Sequence, residues 1–247
     1  MNVVLLIGKH NSGGVPGKNY MEVLGRPLVE YPLLAAMHSE LVDKIYVSTD
    51  SPDIVSVARK YGARIIDRPS NLARSETPTE DVFRHAYEII KAENAEIKYI
   101  FLMFANSPDI LPEYWKDAVD ILEKNSSLDS VISISKYNMF SPLRARVVSD
   151  NGETKPMLDL SAMGITNTFD RDAMGDCYFA DFGVQVIRPG CLEDIEHGAL
   201  PFQWLGKKQG YIKKEFGFDI DARWQIPVIE YWLKEHGFDE NLTPYGN

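Results

Sequence analysis

At 247 residues, 45% hydrophobic and 25% charged, the chain has ample apolar material for a large globular core. Asp and Glu total 36 against 26 Lys and Arg, a net charge of −10, which argues against a nucleic-acid or anionic-membrane partner because both need a basic face. Two cysteines (Cys177, Cys191) without C-x-x-C spacing and five scattered histidines suggest neither a disulfide framework nor a zinc site.

Strand and helix signals alternate along the chain. Val3 to Ile7 is an unbroken apolar run that reads as a buried first strand. No basic segment precedes it, and the longest other apolar run, Tyr99 to Ala105, is too short to span a bilayer, so a cytoplasmic protein is expected. Arg26 to Ser39 carries a dense apolar pattern suited to a buried helix, with Pro32 bending its first turn. Lys44 to Asp50 is a second strand. Ser51 to Gly62 is a helix with Ser51 as cap, Pro52 at its first position and Gly62 ending it. Ala63 to Asp67 is a third strand, and a polar loop from Arg68 to Thr79 leads into a helix reaching Asn94. Lys98 to Ala105 is a fourth strand buried on both faces, and Leu111 to Asn125 a helix with one apolar stripe. Asp129 to Ser135 is a fifth strand. This succession predicts an α/β fold with a mostly parallel sheet covered on both faces.

The rhythm breaks from Lys136 to Tyr178. A turn at Asp150-Asn151-Gly152 between alternating residues predicts a hairpin there. Such an excursion reads as an arm on a single domain spanning residues 1–247. Strands resume at Phe179 to Ile187 and Tyr211 to Asp221. Arg223 to Gly237 closes the chain as a helix with a kink at Pro227.

Two segments carry chemistry. The first strand runs into Gly8 to Asn19, where four glycines, one proline, two lysines and two asparagines are gathered. Glycines admit a ligand to the backbone N–H groups, and Lys9 and Lys18 add charge suited to phosphate. The spacing matches neither the Walker A loop nor G-x-G-x-x-G. His10 in this loop reads as a bystander or a hydrogen-bonding wall. Other polar residues fall at the carboxyl ends of strands, where open parallel sheets bind ligands: Asp50, Arg68, Asn106 and Ser107. Helix capping accounts equally for Asp50 and Ser51, and an ordinary turn for Asn106 and Ser107.

The second segment holds Asp219 and Asp221. On an extended chain residues i and i+2 share a face, with Cα atoms roughly 6.5–7 Å apart. Two carboxylates on one face of an apolar segment repel unless a cation joins them, although Asp221 could instead cap the last helix. Magnesium, which takes oxygen ligands, water and substrate phosphates, fits the pair. Phosphate loop and metal pair together imply nucleotidyl or phosphoryl transfer.

These residues resemble the acylneuraminate cytidylyltransferase family over nearly the whole chain. Gly8 to Asn19 is similar to the family loop A-R-x-x-S-K-G-x-P-x-K-N, Ile45 to Ile54 to its V-S-T-D-S segment, Arg68 to Phe83 to its R-P-x-x-L-A segment, and Phe218 to Asp221 to its metal motif. The resemblance implies a Rossmann-like sheet of the nucleotide-diphospho-sugar transferase type, with residues 136–178 as a dimerisation and acceptor arm. It implies magnesium-dependent transfer of CMP from CTP to a hydroxyl of a sialic-acid-like or related sugar acid, in a homodimer. Lys9, Lys18 and Asp221 fall on catalytic positions; Gly8, Asn11, Ser12, Gly13, Asn19, Arg68 and Thr79 on nucleotide positions; Asp219 and Asp221 on metal positions. Phe104, Asn106, Ser107, Arg144, Phe182 and Gln185 fall on the acceptor side, Arg144 reaching the partner subunit's site.

The chain departs from the family at several points. Lys9 replaces the loop arginine and Gly13 the central lysine, which keeps one charge but loses a bidentate fork. Phe104 replaces a glutamine, and Ala180 and Phe182 replace an arginine and an asparagine. An acceptor without the sialic acid carboxylate or glycerol chain is therefore expected. Competing readings are another nucleotide or acceptor on the same fold, and a nucleotide-binding module without turnover.

Overall fold

The computed structural model describes residues 1–11, 15–165, 175–217 and 219–246. The opening apolar run forms β1 (Asn2–Ile7), buried from Val3 onward. A minimal hairpin, β2 (Glu22–Val23) with β3 (Arg26–Pro27), precedes α1 (Glu30–Met37). The helix thus starts later than its apolar pattern suggests, because Arg26 and Pro27 are spent on the hairpin. Pro32 consequently sits in the first turn, where a missing N–H leaves no hydrogen bond unmade.

Next come β4 (Lys44–Thr49), α2 (Pro52–Lys60) and β5 (Arg64–Asp67). Ser51 Oγ accepts from Ile54 N at 3.4 Å, the cap expected from sequence. α3 (Thr79–Glu93), β6 (Tyr99–Phe104), α4 (Pro112–Lys124) and β7 (Ser130–Lys136) continue the alternation. The arm carries an antiparallel hairpin, β8 (Arg146–Val148) and β9 (Thr154–Pro156), with Met139, Phe140, Val148 and Met157 exposed along the arm. β10 (Tyr178–Ile187), α5 (Gly190–Glu193), β11 (Gln209–Lys214) and α6 (Ile226–Glu235) complete the chain.

Two sequence expectations are corrected here. The last strand ends at Lys214, so Asp219 and Asp221 stand on the following loop and not on extended strand. Pro227 falls in the first turn of α6, where it begins the helix and does not kink it.

The seven long strands form one sheet in the order β11-β7-β10-β6-β1-β4-β5. All neighbours are parallel except β10, which runs against both β6 and β7. The chain moves outward from β1 through β4 to β5, then returns to the other side of β1 as β6. That reversal opens a crevice at the carboxyl end of β1. Strand periodicity sorts the core into two layers. Val4 and Leu6 pack with Leu33, Val57 and Trp115, whereas Val3, Leu5 and Ile7 pack with Phe83, Ile90 and Trp204. A third cluster joins α1 to α6 through Tyr31, Leu34, Ile229 and Trp232, and Ile220 is buried in it. Among the described residues no helix is long and apolar enough to cross a membrane.

Candidate active site

A cleft at the carboxyl ends of β1, β5 and β6 is lined by Gly8, Lys9, Lys18, Asn19, Arg68, Arg74, Thr77, Thr79, Phe104, Asn106, Asp219 and Asp221. Gly8 sets its floor. A Cβ there would lie 2.7 Å from Ala105 Cβ and 2.9 Å from Ile54 Cδ1, so only glycine passes between the end of β6 and α2. Asn19 Nδ2 donates to Lys9 O at 2.8 Å and closes the loop across its ends. Gly17, at φ 72°, turns the chain into a single 3-10 turn, Lys18–Tyr20, which buries Lys18. His10 does not line the cleft; its backbone N–H donates to Asp50 Oδ1 at 2.9 Å and its Nδ1 lies 3.3 Å from Ser51 Oγ. The loop is thereby pinned to the β4–α2 turn.

Arg68 is buried, and its Nη2 donates to Ser48 O at 2.6 Å. Burial lowers its pKa to about 10, with Asp50 opposing, so the guanidinium stays charged at neutral pH. Thr79 opens α3, and the positive end of that helix dipole adds to the field of the two lysines.

The carboxylates arrive from the opposite side. Asp219 is half-buried and accepts a hydrogen bond from Ser107 Oγ. Burial raises its pKa to about 7; the Ser107 hydrogen bond and Lys18 pull it down, while Asp221 and Asp109 push it up. Asp221 is exposed and pairs with the Lys18 ammonium. It is not the cap of the closing helical segment. Ala222 holds that position, and Gln225 Oε1 accepts from the N–H groups of Asp221 and Ala222, each at 2.7 Å. Asn106 grips the intervening residue twice: its carbonyl accepts from Ile220 N at 3.0 Å, and its Nδ2 donates to Ile220 O at 3.2 Å. Asn106 and Ser107 therefore hold the carboxylate loop in place.

Among the described residues no group of three or more His, Cys, Asp or Glu side chains could hold a metal ion. A cation bound by Asp219 and Asp221 would complete its shell with water and phosphate oxygens, the donor set that magnesium accepts. The pair fits that role chemically, because one carboxylate is desolvated and the other already attracts a cationic side chain.

Of the residues expected at the acceptor, Phe104 lines the cleft and meets Phe182 edge-on at 5.9 Å; Phe182 in turn meets Phe202 at 4.7 Å. Phe182 adopts φ 58°, rare for a residue with a Cβ, where the pairing of β10 with β7 shifts between Ala180 and Gln185. Gln185 is fully buried, accepting from Trp204 Nε1 at 2.8 Å, and does not line the cleft. Arg144 is exposed on the arm, and Asn11 is exposed on the loop; neither lines the cleft. Ser12 and Gly13 lie outside the described residues. Arg74, Thr77 and Leu72 line the cleft without having been singled out by sequence. They belong to the same polar segment as Arg68 and Thr79, so reading that whole segment as a wall would have found them.

Residues 3–160 match the family model described as cytidylyltransferase. N-acylneuraminate cytidylyltransferase A of Danio rerio is 27% identical over 240 residues, covering 95% of this chain and 51% of the relative. CMP-N,N'-diacetyllegionaminic acid synthase of Legionella pneumophila is 31% identical over 164 residues, 64% of this chain and 68% of that protein. The chain spans about half the length of the Danio rerio relative, 51%, and of N-acylneuraminate cytidylyltransferase of Oncorhynchus mykiss, 50%. Among solved structures, CMP:2-keto-3-deoxy-manno-octonic acid synthetase complexed with CTP superposes with a TM-score of 0.64 at 14% identity, over 95% of this chain and 98% of the other. That likeness concerns the fold. The glycine and lysine loop after β1, the β4 turn and the Asn106-Ser107 corner all fall inside the matched segment, and the chain belongs to the cytidylyltransferase family.

Proposed function

We propose that the protein transfers CMP from CTP to a hydroxyl of a sugar acid and releases pyrophosphate, with magnesium as cofactor. The observation that carries this reading is the meeting of Lys18, from the loop after β1, with the Asp219–Asp221 turn in one cleft. A cationic loop and a carboxylate pair facing one another suit a triphosphate and its counter-cation. The relatives named for activating acidic sugars support the acceptor class.

In this reading the acceptor oxygen attacks the α-phosphorus. The bond to the bridging oxygen of the β-phosphate breaks, pyrophosphate leaves, and the hydroxyl proton passes to solvent. Lys9 and Lys18 neutralise charge growing on the α-phosphate and the leaving group, an electrostatic and positioning role. Arg68 and Thr79 hold the nucleoside, and Asn19 keeps the loop closed. Magnesium held by Asp219 and Asp221 would shield the triphosphate and lower the pKa of the acceptor hydroxyl. Phe104, with Phe182 behind it, offers the acceptor an apolar edge, which favours a sugar acid carrying a deoxy, methyl or acyl face over one dense in hydroxyls. A homodimer is the proposed assembly, with Arg144 serving the neighbouring cleft; the exposed apolar side chains of the arm support it.

The test is pyrophosphate release from CTP, UTP, GTP and ATP with eight- and nine-carbon keto-sugar acids and with neutral polyols. Turnover with CTP and a keto-sugar acid, lost in Asp221→Ala, is expected. Full activity in Asp221→Ala would sink the metal role. CTP binding without turnover on any acceptor would leave a nucleotide-binding module.

A further inference from the structure

Beneath the cleft lies a charged cluster that the proposed reaction does not use. Lys214, the last residue of β11, donates from Nζ to the Asp109 carboxylate and to Asp109 O at 2.8 Å. Its second acidic neighbour is Asp181 of β10, with Oδ1 at 3.8 Å. All three side chains are shut off from solvent. Asp181 is further satisfied by the Ser133 and Ser135 hydroxyls and by Gly183 N at 3.0 Å, whereas Asp109 Oδ1 is buried without a partner. Charges so enclosed do little for net stability; their attested use is to fix one arrangement of the chain.

The arrangement fixed here is the carboxylate loop. Gly217 lies directly on the cluster: a Cβ would come 2.5 Å from Asp109 Oδ2 and 2.8 Å from Lys214 Nζ. Tyr137 clasps the same glycine, its hydroxyl donating to Gly217 O at 2.8 Å and accepting from Gly217 N at 3.3 Å. The segment that supplies Asp109 also supplies Asn106 and Ser107, which hold Ile220 and Asp219. One stretch after β6 thus grips the loop at its root through Lys214 and at its tip through Asn106 and Ser107.

We propose that Lys214 and Asp109 are positioning residues that set the spacing of the Asp219 and Asp221 carboxylates for a divalent cation. The inference rests on the proposed function and goes beyond it in assigning metal affinity to a buried pair that touches neither substrate nor cation. Outer-shell supports of this kind typically change metal affinity by about 10–100-fold when removed.

The experiment is Mn2+ uptake by the CTP-loaded protein, read by EPR of the free ion, alongside CTP affinity without divalent cation and thermal unfolding. Lys214→Met alone strands two buried carboxylates, so the informative variant is Lys214→Met/Asp109→Leu, which removes the pair together and leaves Asp181 to the Ser133 and Ser135 hydroxyls and Gly183 N. Its Mn2+ affinity is expected to fall at least about tenfold, with metal-free CTP affinity unchanged. Gly217→Ala, outside any strand, tests the same contact should the double variant not fold, with the same expected loss. Asp109→Asn, which keeps an acceptor for Lys214, is expected to retain most of the affinity. Wild-type Mn2+ affinity in a folded double variant or in Gly217→Ala would overturn the positioning role. Absence of Mn2+ uptake by the wild-type protein would instead overturn the metal reading, and this inference with it.

Discussion

Lys18 and Asp221 stand 203 positions apart in sequence, and the ammonium of one donates to the carboxylate of the other across the cleft. The lysine side chain is 9% exposed and the aspartate 70%. One partner is set into the fold and the other is presented to whatever enters.

Lys18→Met is therefore expected to separate catalysis from stability. An ion pair with one partner largely in water contributes about 0–1 kcal/mol, so thermal unfolding should barely move. Losing a charge aimed at the developing phosphate charge should lower kcat by roughly 10²–10³. Steady-state pyrophosphate release and a melting curve on the same preparation check both halves.

Asp219 gives the metal-free protein a pH dependence of defined sign. Its folded-state pKa, near 7, lies above the ordinary 3.8 because the carboxyl is desolvated. Between those values the folded protein keeps a proton that the unfolded chain has released. The stabilising contribution is therefore full below the lower value and lost as pH rises through the upper one. In chelator-treated samples, the margin by which Asp219→Asn melts above wild type should be larger at pH 8 than at pH 5. A difference that does not vary with pH would contradict the assignment.

Gly8→Ala tests the floor of the cleft. The added methyl meets Ala105 and Ile54 below 3 Å, so the end of β6 or α2 must shift. Overpacking of this kind costs about 1–3 kcal/mol. A lower denaturation midpoint with weaker CTP binding is expected, and an unchanged midpoint would show that the loop passes elsewhere.

Phe104→Ala should act on the acceptor alone. Phe104 lines the cleft and leans on Phe182. Removing an apolar contact face is worth about 1–3 kcal/mol, roughly 10–200-fold in kcat/KM for the acceptor. The KM for CTP should stay constant. A rise in both would place the ring against the nucleotide.

Local signals made most of the frame legible before any tertiary contact. The unbroken apolar run at Val3 to Ile7, the Ser51-Pro52 cap, and the stripe of Trp115, Ala118, Val119 and Leu122 each depend only on neighbours in sequence, and each became the expected element. The glycine and lysine loop and the Asp219–Asp221 pair also stood out by residue type and spacing, and the fold brings Lys18 and the two carboxylates into one cleft. The order of the strands was not. Nothing local tells β10 to run antiparallel between β6 and β7, or ends β11 at Lys214 so that the two carboxylates leave the sheet.

Tertiary structure also decided which polar residues face the cleft. Asn106 and Ser107 have the composition of a turn, and only the folding of the Asp219 loop onto them makes them its support. Gln185 sits in an alternating strand that could present it to either side, and the Trp204 indole holds it inside. Asp181 interrupts an apolar strand, but Asp109 follows a polar turn and Lys214 sits between Lys213 and Glu215, so neither of those stands out in sequence. That the three meet one another depends on two strands, β10 and β11, and the loop after β6 reaching one point. Sequence determined the chemistry available to this protein, because residue type and near-neighbour spacing fix donors, charges and periodicity. The fold decided which of those groups meet, because burial and long-range hydrogen bonds exist only once the strands are ordered.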